Sequence, residues 1–176
     1  MKGIVFTVFL DMVEDKFGED VVEDIIDDAG LESGGAYTSV GSYPAEEMRQ
    51  LVHQLSLKSN LPVDALLESF GHVLFKGLHK AYPHFFTETD LFRFLSSIHT
   101  YIHVEVKKLY PDAELPEFEV ERETNEQLVL IYTSSRHMEA LAEGLMEAAA
   151  KHFQETFDIQ KEKIGADRTR FTLSRT

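Results

Sequence analysis

The sequence predicts an α+β protein, a helical N-terminal half packed on a C-terminal half with an antiparallel sheet and helices. Three observations predict it. Apolar residues recur at helical spacing through most of positions 1–109, the period changes to strand-like alternation at Phe118, and one helix-periodic stretch, 137–153, interrupts the strands. At 176 residues the chain reads as a single domain.

Ile4, Val5, Val8, Phe9, Met12 and Val13 predict a first helix, and Val21, Val22, Ile25 and Ile26 a second, with Gly18 and Gly30 standing where each should stop. Residues 31–43, with Ser33-Gly34-Gly35, read as a loop. Pro44 suits the first turn of a third helix whose inward stripe is Met48, Leu51, Val52 and Leu55. A fourth begins near Pro62, carries Leu66, Leu67, Phe70, Val73 and Leu74, and ends at Tyr82-Pro83. Thr87-Glu88-Thr89-Asp90 resembles a capping box, so one long helix is expected through Leu91, Leu95, Ile98, Ile102, Val106 and Leu109, closed by Pro111 and Pro116. The alternation of Phe118 to Glu123, the turn-like Thr124-Asn125 and the β-rich Leu128 to Tyr132 make a hairpin. Helix returns over 137–153, with Leu141, Leu145, Met146 and Ala149 inward. Two last strands, Phe157 to Ile164 and Arg168 to Leu173, flank the turn Gly165-Ala166-Asp167.

Seventeen Lys and Arg stand against 31 Asp and Glu, a formal net charge of −14. That balance opposes nucleic acid and anionic membrane surfaces alike, whose affinity comes from Lys and Arg displacing counterions. No partner of either kind is expected. Ten of the acids fall in positions 1–32 against two lysines, which reads as a solvated outer face. The hydrophobic content of 43% is enough for a core and an internal pocket. There is no cysteine, which excludes disulfides, thiolate chemistry and Cys-based metal sites. The apolar opening runs at once into Asp11, Glu14 and Asp15 and no apolar run nears the roughly 20 residues of a membrane span, so a soluble, cytoplasmic protein is expected.

Among eight histidines, the pair with ligand spacing is His99-Thr100-Tyr101-Ile102-His103. A zinc peptidase would want Glu where Thr100 stands, so that reading fails. Downstream of His103 come Leu109-Tyr110-Pro111-Asp112-Ala113-Glu114-Leu115-Pro116 and, after the hairpin, Tyr132-Thr133-Ser134-Ser135-Arg136. In these residues, and in their order, the chain resembles the haem nitric oxide/oxygen-binding (H-NOX) domains, bacterial relatives of the haem domain of soluble guanylate cyclase.

The resemblance implies haem b buried between the two halves, a distal part over about 1–60 and a proximal part over about 61–176. His103 is then the axial iron ligand, and Tyr132, Ser134 and Arg136 bind the propionates. Pro116 presses on the macrocycle, and Val5, Phe9, Leu74, Leu141 and Leu145 line the distal pocket. Physical chemistry supports this role for the motif. Two buried carboxylates need donors, which the Arg136 fork and the Tyr132 and Ser134 hydroxyls supply. Alternation would point 132, 134 and 136 to one face if the strand runs that far. The resemblance further implies a gas sensor and not an enzyme. NO or CO would bind ferrous iron and NO would loosen the His103 bond. The shifted helices would then signal to a sensor histidine kinase or a cyclic-di-GMP enzyme.

Two departures bear on this. Some H-NOX proteins carry a cysteine-rich zinc site, impossible here, and oxygen-binding ones carry a distal tyrosine where this chain has Leu141, which implies that oxygen is excluded. A peroxidase-like haem enzyme is the competing reading, but it wants polar distal groups. A haem-free interaction module is the other.

Overall fold

The computed structural model describes residues 1–176. It comprises helices α1 (Gly3–Phe17), α2 (Glu19–Ala29), α3 (Ala45–Ser59) and α4 (Val63–Ala81), then α5 (Leu91–Ser97), a π-helical segment (Ile98–Ile102) and α6 (His103–Leu109). Strands β1 (Glu117–Glu123) and β2 (Gln127–Thr133), helix α7 (Glu139–Phe153) and strands β3 (Phe157–Lys163) and β4 (Arg168–Arg175) complete it. The sheet is antiparallel throughout, in the order β1-β2-β4-β3, so the fold is α+β as its periodicity predicts. No helix is long and apolar enough to cross a membrane.

Helix ends follow from local chemistry. Gly18 (φ 95°) and Gly30 (φ 63°) take left-handed backbone that terminates α1 and α2. Asp90, rather than Thr87, caps α5: its carboxylate accepts from the Arg93 amide at 3.1 Å, and with Arg at that position no capping box forms. Asp90 also pairs with Arg175 at 2.6 Å, and Glu155 bridges Arg175 (2.9 Å) and the Leu91 amide (2.9 Å). A charged clamp from the end of β4 therefore fixes the start of α5. A 3₁₀ turn at Pro83–Phe85, not evident in the sequence, links α4 to this region.

The expected single helix from 91 to 109 is interrupted. At Ile98–Ile102 the backbone widens to a π turn, and the His103 amide donates to the Ile98 carbonyl, five residues back. Helix α5 buries Leu91, Phe92, Phe94 and Leu95, whereas neither the π segment nor α6 fully buries any side chain.

Two cores result. One gathers Phe6, Phe9, Leu51, Leu55, Phe70 and Leu74 from α1 to α4, with Leu141 of α7. The other joins Phe75, α5, the sheet residues Leu128, Leu130, Phe171 and Leu173, and Met146 and Ala149 of α7. Helices α4 and α7 serve both and touch backbone to backbone: a Cβ on Gly144 would lie 2.1 Å from the Glu68 carbonyl oxygen, and one on Gly71 2.7 Å from the Leu141 carbonyl oxygen.

A buried carboxylate ties the 31–43 loop to the first core. Glu47, 2% exposed, accepts from the Ser33 amide (2.9 Å), the Ser33 hydroxyl (2.6 Å) and the Tyr37 hydroxyl (2.7 Å). Burial acts against its ionisation, but these donors more than offset it and hold its pKa below the usual range. Tyr37 in turn stacks on Phe6 at 4.4 Å.

Candidate functional site

Between the two cores lies a cavity of about 280 Å³, lined by 30 residues of which 24 are hydrophobic. Each neighbouring element contributes one face: Ile4 and Val5 from the first turn of α1, Leu74, Phe75 and Leu78 from α4, and Leu141, Leu145 and Met146 from α7. His103 opens the face of α6, followed by Val106 and Tyr110 at i+3 and i+7. The loop before β1 adds Leu115 and Pro116.

His103 is the one imidazole on the cavity wall. Its Nδ1 is fully buried and has no hydrogen-bond partner, the only such side-chain atom in the protein. Burial, chiefly, with the charges of His99 and Lys107 beside it, drives the pKa down to about 4. The Pro116 carbonyl pulls the other way without reaching hydrogen-bond geometry to Nδ1. The ring is therefore neutral at pH 7, the form that ligates a metal. His99 stands 6.4 Å away, ring to ring, and is exposed, outside the cavity. That separation exceeds the roughly 5 Å of two imidazoles on one ion, which removes the zinc reading for this pair on geometry as well.

Tyr132, Ser134 and Arg136 meet at the cavity, by a different route from the expected one. The strand does not continue that far: β2 ends at Thr133. The Ser134 amide donates to the Asp167 carbonyl (2.9 Å), and the Ser134 hydroxyl accepts from the Arg136 amide (3.2 Å), curling the chain into a serine turn. His137 then takes a positive φ of 52°. The turn, not β alternation, brings Arg136 back beside Tyr132. Arg136 is 16% exposed at its side chain and donates to the Glu114 carbonyl (2.8 Å) and carboxylate (3.3 Å). Tyr132 is buried, which pushes its hydroxyl pKa up, with Ser134 beside it.

Val5, Leu74, Leu141, Leu145 and Pro116 all line the cavity. Phe9 does not. It is fully buried in the N-terminal core, edge-on to Phe70 at 5.2 Å, because it shares the face of α1 that carries Val5 but lies one turn further along the axis, past the end of the cavity. Sequence reasoning missed Met1, Lys2, Tyr82 and Tyr110, which also reach the cavity. The Met1 ammonium donates to the Tyr43 carbonyl (2.7 Å), and Lys2 Nζ lies 4.0 Å from the centre of the Tyr110 ring. Burial and a hydrogen bond to Tyr110 push Tyr82 up to about 12. The i+7 spacing from His103 was the signal for Tyr110.

These residues fit a flat, apolar, dianionic macrocycle. The bare buried imidazole offers one metal ligand, the walls are hydrocarbon, and in a chain of net charge −14 the rim gathers Arg136, Lys2 and the N-terminal ammonium.

The comparisons with known proteins agree. The Haem-NO-binding family profile matches residues 2–161. The unliganded Fe(II) H-NOX protein from K. algicida is 44% identical, with a TM-score of 0.96 over 100% of this chain and 97% of that one. The H-NOX from Shewanella woodyi, solved in the Fe(II)CO state with IWP-051 bound, is 39% identical (TM-score 0.85, 100% and 95% covered). That from S. oneidensis in the Fe(II)NO state is 31% identical (TM-score 0.92, 100% and 99% covered). A search of curated proteins found no match. The profile spans most of the chain and the likeness to solved H-NOX proteins is end to end, so the chain belongs to the haem-NO-binding, or H-NOX, family.

Proposed function

We propose that the protein is a cytoplasmic sensor of nitric oxide, binding NO and CO and excluding oxygen, that signals by changing shape. The observation that carries this is His103, a neutral buried imidazole with an unpartnered nitrogen on the wall of an apolar cavity. Haem b, when bound, supplies a ferrous iron able to take a diatomic gas.

His103 would hold the iron in this reading. Arg136, Tyr132 and Ser134 donate to the propionates at the rim, and Pro116 packs against the macrocycle from the side of His103. The distal face is Val5, Leu74, Leu141 and Leu145, about 1–60 forming the distal part and about 61–176 the proximal one. Apolar distal groups favour NO and CO, which carry little charge when bound, over oxygen, which needs a donor. They also disfavour peroxidase chemistry, so the protein is read as a sensor and not an enzyme.

Movement of His103 would be the switching event. Helix α5 is held by its buried face and the Arg175 clamp, whereas α6 fully buries no side chain. Val104 and Leu109 of α6 are exposed, so a shift of α6 is presented at the surface. The receiver is a sensor histidine kinase or a cyclic-di-GMP enzyme.

The test is the absorbance of the protein after haem-replete expression, with His103→Gly beside it. A Soret band that responds to NO and CO but not to air is expected, and the variant should retain haem only when imidazole is supplied. No Soret band in the parent chain removes the reading. Full haem retention by the variant without imidazole moves the ligand elsewhere.

A further inference from the structure

Helices α4 and α7 carry, on the outer side of their seam, a pair of histidines that the haem site does not use. The rings of His79 and His152 stand 4.9 Å apart, centroid to centroid, at 58°. Two imidazoles bound to one tetrahedral ion at about 2.0–2.1 Å have centroids about 5 Å apart, so the rings already have the separation an ion demands. The histidines paired with carboxylates are His72, with Glu147 at 2.7 Å, and His137, with Asp167 at 3.7 Å. His79 and His152 have no such partner, and their close neighbours are aromatic: Phe86 edge-on to His79 at 4.9 Å, Phe153 edge-on to His152 at 4.9 Å.

We propose that His79 and His152 bind one divalent ion of the class that prefers imidazole, such as zinc, independently of haem. The pair is held ready. Because the two helices meet backbone to backbone at Gly71 and Gly144, their relative position cannot drift without opening that contact. Binding therefore orders little that is not already ordered. No third ligating side chain converges there, and His152 is exposed, so water completes the coordination. Beneath the pair lie Phe75 and Phe86, whose other sides face the cavity. An ion would thus sit one aromatic layer outside the haem cavity and brace the two helices that carry Leu74 and Leu141.

Zinc titration of the haem-loaded full chain by calorimetry tests this, since the Soret band reports the haem reading separately. One ion per chain is expected. His79→Ala and His152→Ala should each weaken binding by about a hundredfold, because the second imidazole acts at high effective concentration, with the Soret band and circular dichroism unchanged. His99→Ala should leave zinc binding intact. No saturable binding by the parent chain, or a loss below about tenfold in either variant, overturns the proposal.

Discussion

Arg136→Ala tests the rim of the cavity most directly. The guanidinium has two acceptors, both on Glu114, and the Glu114 side chain is 83% exposed. An ion pair with so exposed a partner contributes at most about 1 kcal/mol. The Glu114 carbonyl, left without its donor, can turn to water. Most of what Arg136 does is therefore owed to the cavity, where its side chain is 16% exposed. Removing the donor from one propionate should cost about 2 to 5 kcal/mol of haem binding. At 1.36 kcal/mol for each factor of ten, that is haem loss faster by about thirtyfold to several thousandfold. The assay is transfer of haem to an excess of a scavenging globin, followed at the Soret band. Glu114→Gln is the control and should change the rate by no more than about fivefold, the equivalent of 1 kcal/mol. An Arg136→Ala rate within about threefold of the parent would mean that the donor faces no carboxylate, and the reasoning about this rim would be wrong.

Leu141→Tyr introduces a hydroxyl into an apolar wall. It should add roughly 1.5 to 3 kcal/mol to oxygen binding, tenfold to more than a hundredfold, as read from oxygen titration of the ferrous protein; an unchanged affinity would show that Leu141 does not face the ligand. Gly144→Ala must push its new Cβ away from the Glu68 carbonyl oxygen, 2.1 Å off, at a cost of about 1 to 3 kcal/mol. Thermal melting should drop by about 2 to 4 °C per kcal/mol, and an unaltered midpoint would contradict the backbone contact. In the haem-free protein, His103 has a folded pKa of about 4 against 6.5 unfolded. The stability is fully present above 6.5, where both states are neutral, and falls as pH drops toward 4, where the unfolded chain takes up the proton first, by up to about 3 kcal/mol. Denaturant titrations across that window should show the slope, and His103→Leu should flatten it.

The helices and the hairpin were legible because their signals are local. Gly18 and Gly30 stop helices through backbone that only a residue without Cβ takes easily, and the stripes of α3 and α4 repeat where they bury. That His103, Tyr132, Ser134 and Arg136 share one cavity was legible through family resemblance. What stayed hidden depends on contacts distant in sequence. Ile98 to Ile102 keeps the spacing of an α-helix, so nothing in composition marks its π turn. The end of β2 at Thr133 is set by a hydrogen bond from Ser134 to Asp167, 33 residues on. The burial of Glu47 needs Ser33 and Tyr37 from a loop that reads as ordinary solvent-facing turn. Phe9 was assigned by position to a pocket that ends one helical turn before it.

The π turn before His103 also determines where this helix can lose a residue. It holds one residue more than an α-turn would use to cover the same stretch. Deleting one position within Ile98 to Ile102 can relax the bulge to ordinary α-helix while the buried face of α5 and the ring of His103 both keep their places. A deletion in α6 beyond His103 instead swings Val106 and Tyr110 by about 100° about the helix axis, off the cavity wall that they share with His103. A lineage of such chains, aligned without gaps across this segment, would therefore misnumber the histidine in some members and still place it correctly in space.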